Sequence, residues 1–299
     1  MSYPYRVFNK ADMVQEFKQL RKSYNPRHNF ANSIVDYGTE RQRLKTKYKG
    51  YSNLERWRDP KKREGVLRLA NFFYENGRAT MYLAIRDAIR LKWCVNFMRP
   101  AVARDIIRRH GGTNVLDFTA GWGGRMIGAM SLDMNYTGID INKDLVQGYQ
   151  RILNLVSPLS SSRVSMIFQD ALSVDYSKIK YDLVFTSVPY EFLEIYSNMP
   201  NVPLKQSSKL TIDSHGEFYD KFIVPTLKKI WKHLPIGGSV VLNIPQIMYT
   251  KISKRWSPKD SIRTSEDYMV TRRKLFHQSE STQSTPMKEM LYIWKKKAS

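Results

Sequence analysis

Asn114-Val115-Leu116-Asp117-Phe118-Thr119-Ala120-Gly121-Trp122-Gly123-Gly124-Arg125 is the stretch that decides how this 299-residue chain is read. Asn114–Asp117 has the character of a buried strand, the glycines make a turn, and Arg125–Leu132 continues as a short helix. Glycine lets a backbone take positive φ and approach a ligand closely, so such a turn can seat a ligand on main chain. The third glycine of the dinucleotide pattern G-x-G-x-x-G is missing, which argues against a dinucleotide fingerprint.

Working outward, strand-like and helix-like segments alternate, which predicts an α/β sheet of mostly parallel strands. Tyr136–Ile139 reads as a second strand, ending at Asp140 and Ile141, and Lys143–Val156 as a helix with Leu145, Tyr149, Ile152 and Leu153 on one face. Val164–Phe168 is a third strand, followed by Asp170 and Ala171. Tyr181–Phe185 is a fourth, followed by Ser187-Val188-Pro189-Tyr190. A helix over Phe218–Leu234 and strands over Ser239–Ile244 and Met290–Trp294 complete the pattern. Ala11–Tyr24 and Thr80–Phe97 read as helices. Asn25–Asp59, Thr186–Asp213 and residues 249–285 read as irregular. Ligands of open α/β sheets sit outside the carboxyl ends of strands, and an acid ending the second strand suits ribose hydroxyls. The glycine turn, Asp140, Asp170 and Ser187–Tyr190 all fall there, which predicts a site for a nucleoside-type cofactor.

Charge points to the partner. The formal net charge is +22, with pI near 9.9. Residues 1–110 hold 25 Lys and Arg against 10 Asp and Glu, residues 111–245 hold 12 against 12, and residues 246–299 hold 12 against 5. A neutral block between basic flanks fits a nucleic-acid partner, because cationic side chains displace counterions from phosphates. Residues 41–63 interleave Arg41, Arg43, Lys45, Lys47, Lys49, Arg56, Arg58, Lys61, Lys62 and Arg63 with Tyr48, Tyr51 and Trp57, suiting backbone neutralisation plus stacking. Lys251, Lys254, Arg255, Arg263, Arg272, Arg273 and Lys274 form a second basic group. A lone cysteine, Cys94, rules out an internal disulfide and a cysteine-based zinc site, and the five histidines lack metal-ligand spacing, so no metal is expected. No apolar run is long enough for a membrane span and no secretory signal is visible, so an intracellular location is expected.

With these residues in view, the chain resembles class I S-adenosylmethionine-dependent methyltransferases, and among them the amino-methyltransferases of nucleic acids. The string Val184-Phe-Thr-Ser-Val-Pro-Tyr-Glu-Phe-Leu-Glu-Ile-Tyr-Ser197, with Gln206-Ser207 after it, is similar to enzymes of phages and large DNA viruses. Thr46-Lys-Tyr-Lys-Gly50 is similar as well, and the resemblance covers roughly residues 90–245. It implies a Rossmann-like core over residues 96–247, a basic and mainly helical extension over 1–95, and a basic target-contacting segment with a final core strand over 248–299. It implies S-adenosyl-L-methionine as cofactor. Asp117, Gly121, Gly123 and Gly124 would cradle its amino-acid part, Asp140 would hold its ribose and Asp170 would meet its adenine amino group, with Thr119, Ala120, Ile141, Ala171 and Ser187 also in the cofactor site. Asn96-Phe97-Met98-Arg99-Pro100 resembles the segment that closes over the methionine end through Phe97, Arg99 and Pro100.

The tetrapeptide Ser187-Val188-Pro189-Tyr190 would carry the chemistry. An exocyclic base nitrogen is a poor nucleophile, since its lone pair is delocalised into the ring. Acceptors on both amino hydrogens favour the more nucleophilic tetrahedral form. In the family these come from the first side chain and the next main-chain carbonyl, while the aromatic fourth residue stacks on the base. Val188 departs from the family's proline, keeping the carbonyl and losing the fixed φ. The expected function is transfer to the exocyclic amino group of a base in DNA, N4 of cytosine or N6 of adenine, with Ser187 leaning toward cytosine in family terms. The base would be flipped out or single-stranded. The alternatives are an RNA amino-methyltransferase and an inactive nucleic-acid-binding subunit. Cys94 lacks the Pro-Cys context of ring-carbon methylation and reads as a core residue.

Overall fold

The computed structural model describes residues 2–23, 25–48, 51–93, 95–189, 218–267 and 289–298. Its centre is a seven-stranded sheet. The strands are β1 (Asn114–Asp117), β2 (Asn135–Ile139), β3 (Val164–Ile167), β4 (Leu183–Thr186), β5 (Ser239–Pro245), β6 (Ser261–Glu266) and β7 (Glu289–Lys296). They lie in the order β3-β2-β1-β4-β5-β7-β6. Neighbours from β3 to β5 are parallel, and β7 runs antiparallel to both β5 and β6. This is a Rossmann-like arrangement, with its chain reversal between β1 and β4, where open sheets leave a ligand crevice.

Alternation along the strands divides the core in two. Val115, Leu183, Phe185, Val241, Leu291 and Ile293 face one side and pack with Phe17, Ile34, Ile106, Met126 and Ile152. Leu116, Val184, Val240, Leu242, Tyr292 and Trp294 face the other, against Phe118, Phe222, Leu227 and Ile230. The first side is covered by α1 (Lys10–Lys22), α2 (Asn32–Lys45), α6 (Pro100–His110), α7 (Gly124–Met130) and α8 (Val146–Val156). On the second lie a π-helical turn at Tyr219–Ile223, α9 (Val224–His233) and α10 (Gln246–Ser253). The expected helix over Phe218–Leu234 is thus one continuous element in two geometries. A third cluster around Trp57, Val66, Ala70, Ala88 and Trp93 unites α3 (Asn53–Arg58), α4 (Pro60–Glu75) and α5 (Met81–Trp93).

Two stretches expected to be irregular are ordered. Within Asn25–Asp59 lie α2, a small antiparallel pair at Lys47–Tyr48 and Tyr51–Ser52, and α3 with a Ser52/Glu55 capping box. Helical periodicity was hidden because the buried face of α2 is largely polar, including Asn32, Ser33, Asp36, Thr39, Glu40 and Arg43. Burial alone would raise the Asp36 carboxyl, but Arg43, Arg6 and Arg86 hold it below the ordinary value. Glu40 accepts from Arg86 at 2.8 Å and from the Arg6 main chain at 3.1 Å. The second stretch, residues 249–285, contributes the end of α10 and edge strand β6, whose Ile262–Ser265 are all exposed and so carry no alternation of apolar residues.

Gly148 of α8 meets Gly38 of α2 so closely that a Cβ on Gly148 would stand 2.5 Å from the Gly38 carbonyl oxygen. This contact docks the N-terminal helices onto the sheet layer, aided by Arg151 donating to the Gly38 carbonyl at 2.7 Å. Gly148→Ala is expected to lower unfolding free energy by about 1–3 kcal/mol through overpacking. Urea denaturation checks it, and unchanged stability would show that the two helices separate at little cost.

Candidate active site at the strand tips

Asp117 ends β1 with no exposed surface. Its carboxylate accepts from Arg125 Nε at 2.6 Å, Tyr136 Oη at 2.7 Å and Thr186 Oγ1 at 2.7 Å. A charge this deep persists only when paired and hydrogen-bonded. Burial works against the Arg125 charge, but Asp117 more than offsets it and raises the guanidinium above its ordinary value. Arg125 also donates to the Thr119 carbonyl in the glycine turn. Asp117, expected to cradle the ligand, lies buried beneath the turn. Protein donors occupy its carboxylate, and it braces the turn from beneath. Arg125 is the residue that sequence reasoning missed. A visible signal was a cation in the first turn of a helix, where the helix dipole disfavours it, eight residues after an acid.

Above this pair the backbone takes the shape a cradle needs. Gly121 and Gly123 have φ of 62° and 87°. Gly124 opens α7, and a Cβ there would lie 1.9 Å from the Met98 carbonyl oxygen, so only glycine lets Phe97-Met98 rest on the turn. Phe97 is half-buried, with the Arg43 guanidinium 4.7 Å from its ring centre. Arg99 instead reaches the Arg27 carbonyl at 3.1 Å and Asn29 at 3.3 Å, while Pro100 is buried at the start of α6.

The turn binds its neighbouring strand tips. Asp140 accepts from the Gly121 main chain at 2.7 Å and from Asn142 at 2.8 Å. Burial pushes its carboxyl up to about 6, and those two donors limit the rise. Ile141 lies half-buried beside it. Thr119 Oγ1 lies 2.5 Å from Thr186 Oγ1 and donates to the Ser187 carbonyl at 3.3 Å, tying the turn to the tip of β4. Asp170 ends the β3 side by accepting from Leu172 N–H at 2.8 Å. Ala120 and Ala171 are buried in the core, which limits them to main-chain roles. Ser187 and Pro189 are half-buried, and Val188 is buried in the second apolar cluster; Tyr190 lies outside the described residues.

The basic residues divide. Arg41, Lys45, Arg58, Lys61 and Lys254 are exposed, and so is Arg263. Lys47 lies 3.6 Å from Glu55, Lys62 lies 3.5 Å from Asp59 and over the Tyr51 ring, and Arg63 donates to the Trp57 carbonyl. Arg255 pairs with Asp220, and Lys251 stands over the Tyr219 ring. Arg43 and Arg56 correct the expectation of a phosphate-facing role, because both are buried and Arg43 is committed to Asp36. Helix formation is the cause, since it turns part of a charged run inward. Lys49, Arg272, Arg273, Lys274 and Cys94 lie outside the described residues.

No protein-family model matches the chain. No curated protein matches it either. Among solved structures it is similar to TrmN from Thermus thermophilus, with 18% identity over 66% of this chain and 48% of that one, at a TM-score of 0.42. It is similar to TehB from Haemophilus influenzae, with 12% identity over 71% and 66% of the two chains and a TM-score of 0.40. An rRNA methylase from Streptococcus thermophilus shares 11% identity over 68% of this chain and 100% of that one, at a TM-score of 0.42. The chain thus spans about half the length of TrmN. At these scores the strand order, rather than any neighbour, defines the fold. No helix among the described residues is long and apolar enough to cross a membrane.

Arg125→Met would strand the Asp117 carboxylate in the core and is expected to lower stability by about 3–5 kcal/mol. Adding Asp117→Asn should recover part of that loss. Equal stability of the single and double variants in thermal unfolding would exclude the pair as the brace of the turn.

Proposed function

We propose that this chain is an S-adenosylmethionine-dependent methyltransferase acting on the exocyclic amino group of a base in DNA, with the donor lying across the tips of β1 and β2. The observation that carries the reading is the glycine turn, which bonds at once to Asp140 on the donor side and, through Thr119, to Ser187 on the acceptor side. The residues fit the donor. Gly121 offers main chain beside which a Cβ would meet nothing nearer than 3.8 Å, with Phe97 near Gly124 for the methionine end. The Asp140 carboxylate has acceptor capacity beyond its two main-chain donors and suits ribose hydroxyls. Asp170, one strand further out, suits the adenine end. The donor would supply a methyl on a sulfonium, so this chain needs to align a nucleophile and supplies no covalent catalyst.

On the acceptor side, the Ser187 hydroxyl and Val188 carbonyl would accept hydrogen bonds from the target amino group. This localises the nitrogen lone pair toward the methyl, and one amino proton leaves to solvent after transfer. Burial of Val188 holds this peptide by packing where the resembling family uses proline. Tyr190 would stack on the extruded base. The exposed Arg41, Lys45, Arg58 and Lys61, together with Lys254 beyond the core, are suited to screen phosphates over residues 1–95 and 248–299.

Incubation with S-adenosylmethionine and separate pools of DNA and RNA, followed by nucleoside mass spectrometry, tests the reading. N4-methylcytosine or N6-methyladenine from DNA is expected; product from RNA alone would reassign the substrate, and none from either pool would overturn the reading.

Asp140 sets a pH dependence. Its folded value of about 6 lies above the ordinary 3.8, so protonation favours the folded state as pH falls through that window, and the buried charge costs stability above it. If the ionised form holds the ribose, donor affinity should weaken by up to about tenfold per pH unit below about 6 and level off above it. Calorimetry between about pH 5 and 8 reads this directly; a flat profile would remove Asp140 from the donor site.

A further inference from the structure

We infer that Asn243 is a positioning residue that turns the Ser187 hydroxyl into a hydrogen-bond acceptor for the target amine. The inference rests on the reading of Ser187 proposed above. All seven residues of β5 are buried, and Asn243 stands in its apolar interior with 3% of its surface exposed. Thr186 of β4 pairs with Leu242 of β5, so Asn243 continues the register beside Ser187. Its Nδ2 lies 3.5 Å from Ser187 Oγ, while its Oδ1 is buried without a hydrogen-bond partner among the described residues.

A serine hydroxyl carries one proton and two lone pairs. It can accept from a substrate amine at full strength only when its own proton is engaged elsewhere. The two ends of an amide have the same shape, so a half-turn about Cβ–Cγ brings Oδ1 to Ser187 and lets the hydroxyl donate to it. Both lone pairs of Oγ are then left to accept from the target amine. Nearly solvent-free, Asn243 does not itself reach a substrate, and its effect passes through Ser187.

The test compares Asn243→Leu, Ser187→Ala and the double variant in the full-length protein. Asn243→Leu should lower kcat by about 10- to 100-fold, the range for removal of a supporting partner, with donor affinity unchanged. Its Tm should be no lower than the parent's, because an apolar residue of similar shape replaces a buried amide that has a partner at one end only. In the Ser187→Ala background the same substitution should cause no further loss of kcat. A loss that persists in that background, or a fall in Tm parallel to the fall in kcat, would make Asn243 merely structural and overturn the inference. A readout without turnover separates the two levels. The side-chain amide resonances of Asn243 in nitrogen-15-labelled protein should shift on Ser187→Ala, and unchanged resonances would overturn the inference. A parent protein that transfers no methyl while those resonances do shift would overturn the functional reading and leave the Asn243–Ser187 contact standing.

Discussion

A carboxylate with no exposed surface needs donors on every side, and Asp117 has them from Arg125, Tyr136 and Thr186. Those three residues come from α7, β2 and β4, so one buried charge links β1 to its neighbours on both sides and to the helix that follows. Arg125 also donates to the Thr119 carbonyl, which places the pair directly under the glycine turn. The turn then reaches Asp140 through the Gly121 main chain and Ser187 through the Thr119 hydroxyl. Removing one partner of such a pair leaves an uncompensated charge in a low-dielectric interior. The shape of the crevice therefore depends on a contact that no ligand would touch.

The N-terminal helices are coupled to the same place. Gly38 and Gly148 bring α2 against α8, Thr39 lies 3.4 Å from the Trp122 carbonyl of the glycine turn, and Gln42 donates to the Asp144 carbonyl beyond Asp140. Arg43 covers Phe97, which in turn lies over Gly124. A basic flank that charge alone presents as a nucleic-acid arm is, over α2, a wall of the site. Its buried ions neutralise one another, and the cations left for a partner are those on the outward faces, Arg41 and Lys45 among them.

Legibility followed burial of apolar residues. Asn114–Asp117, Tyr136–Ile139 and Ser239–Ile244 were readable because mostly buried parallel strands are largely apolar runs bounded by turns. Edge strand β6 carries Ile, Arg, Thr and Ser in its exposed middle and left no such trace. Helix α2 failed for the opposite reason, since its inward face satisfies buried polar groups through Arg6, Arg43 and Arg86 rather than by apolar packing. The start of α4 had a local signature, Asp59 as cap and Pro60 in the first turn, that pattern reading passed over within a charged run.

By itself the amino-acid order determined the alternating α/β plan, the glycine turn after β1, the polar residues ending each parallel strand and the division of charge between core and flanks. These are local properties, carried by periodicity, backbone freedom and composition. Only the tertiary structure decided that Asp117 is a brace and Asp140 an available acceptor, that Arg43 and Arg56 are turned inward, and that Asn243 stands beside Ser187. Those outcomes depend on which groups meet across β1, β2, β4 and β5, and on how deeply each meeting is buried. Hydration, partner distance and charge compensation are set by residues far apart in the chain, so two aspartates at strand ends, alike in sequence, acquire different surroundings.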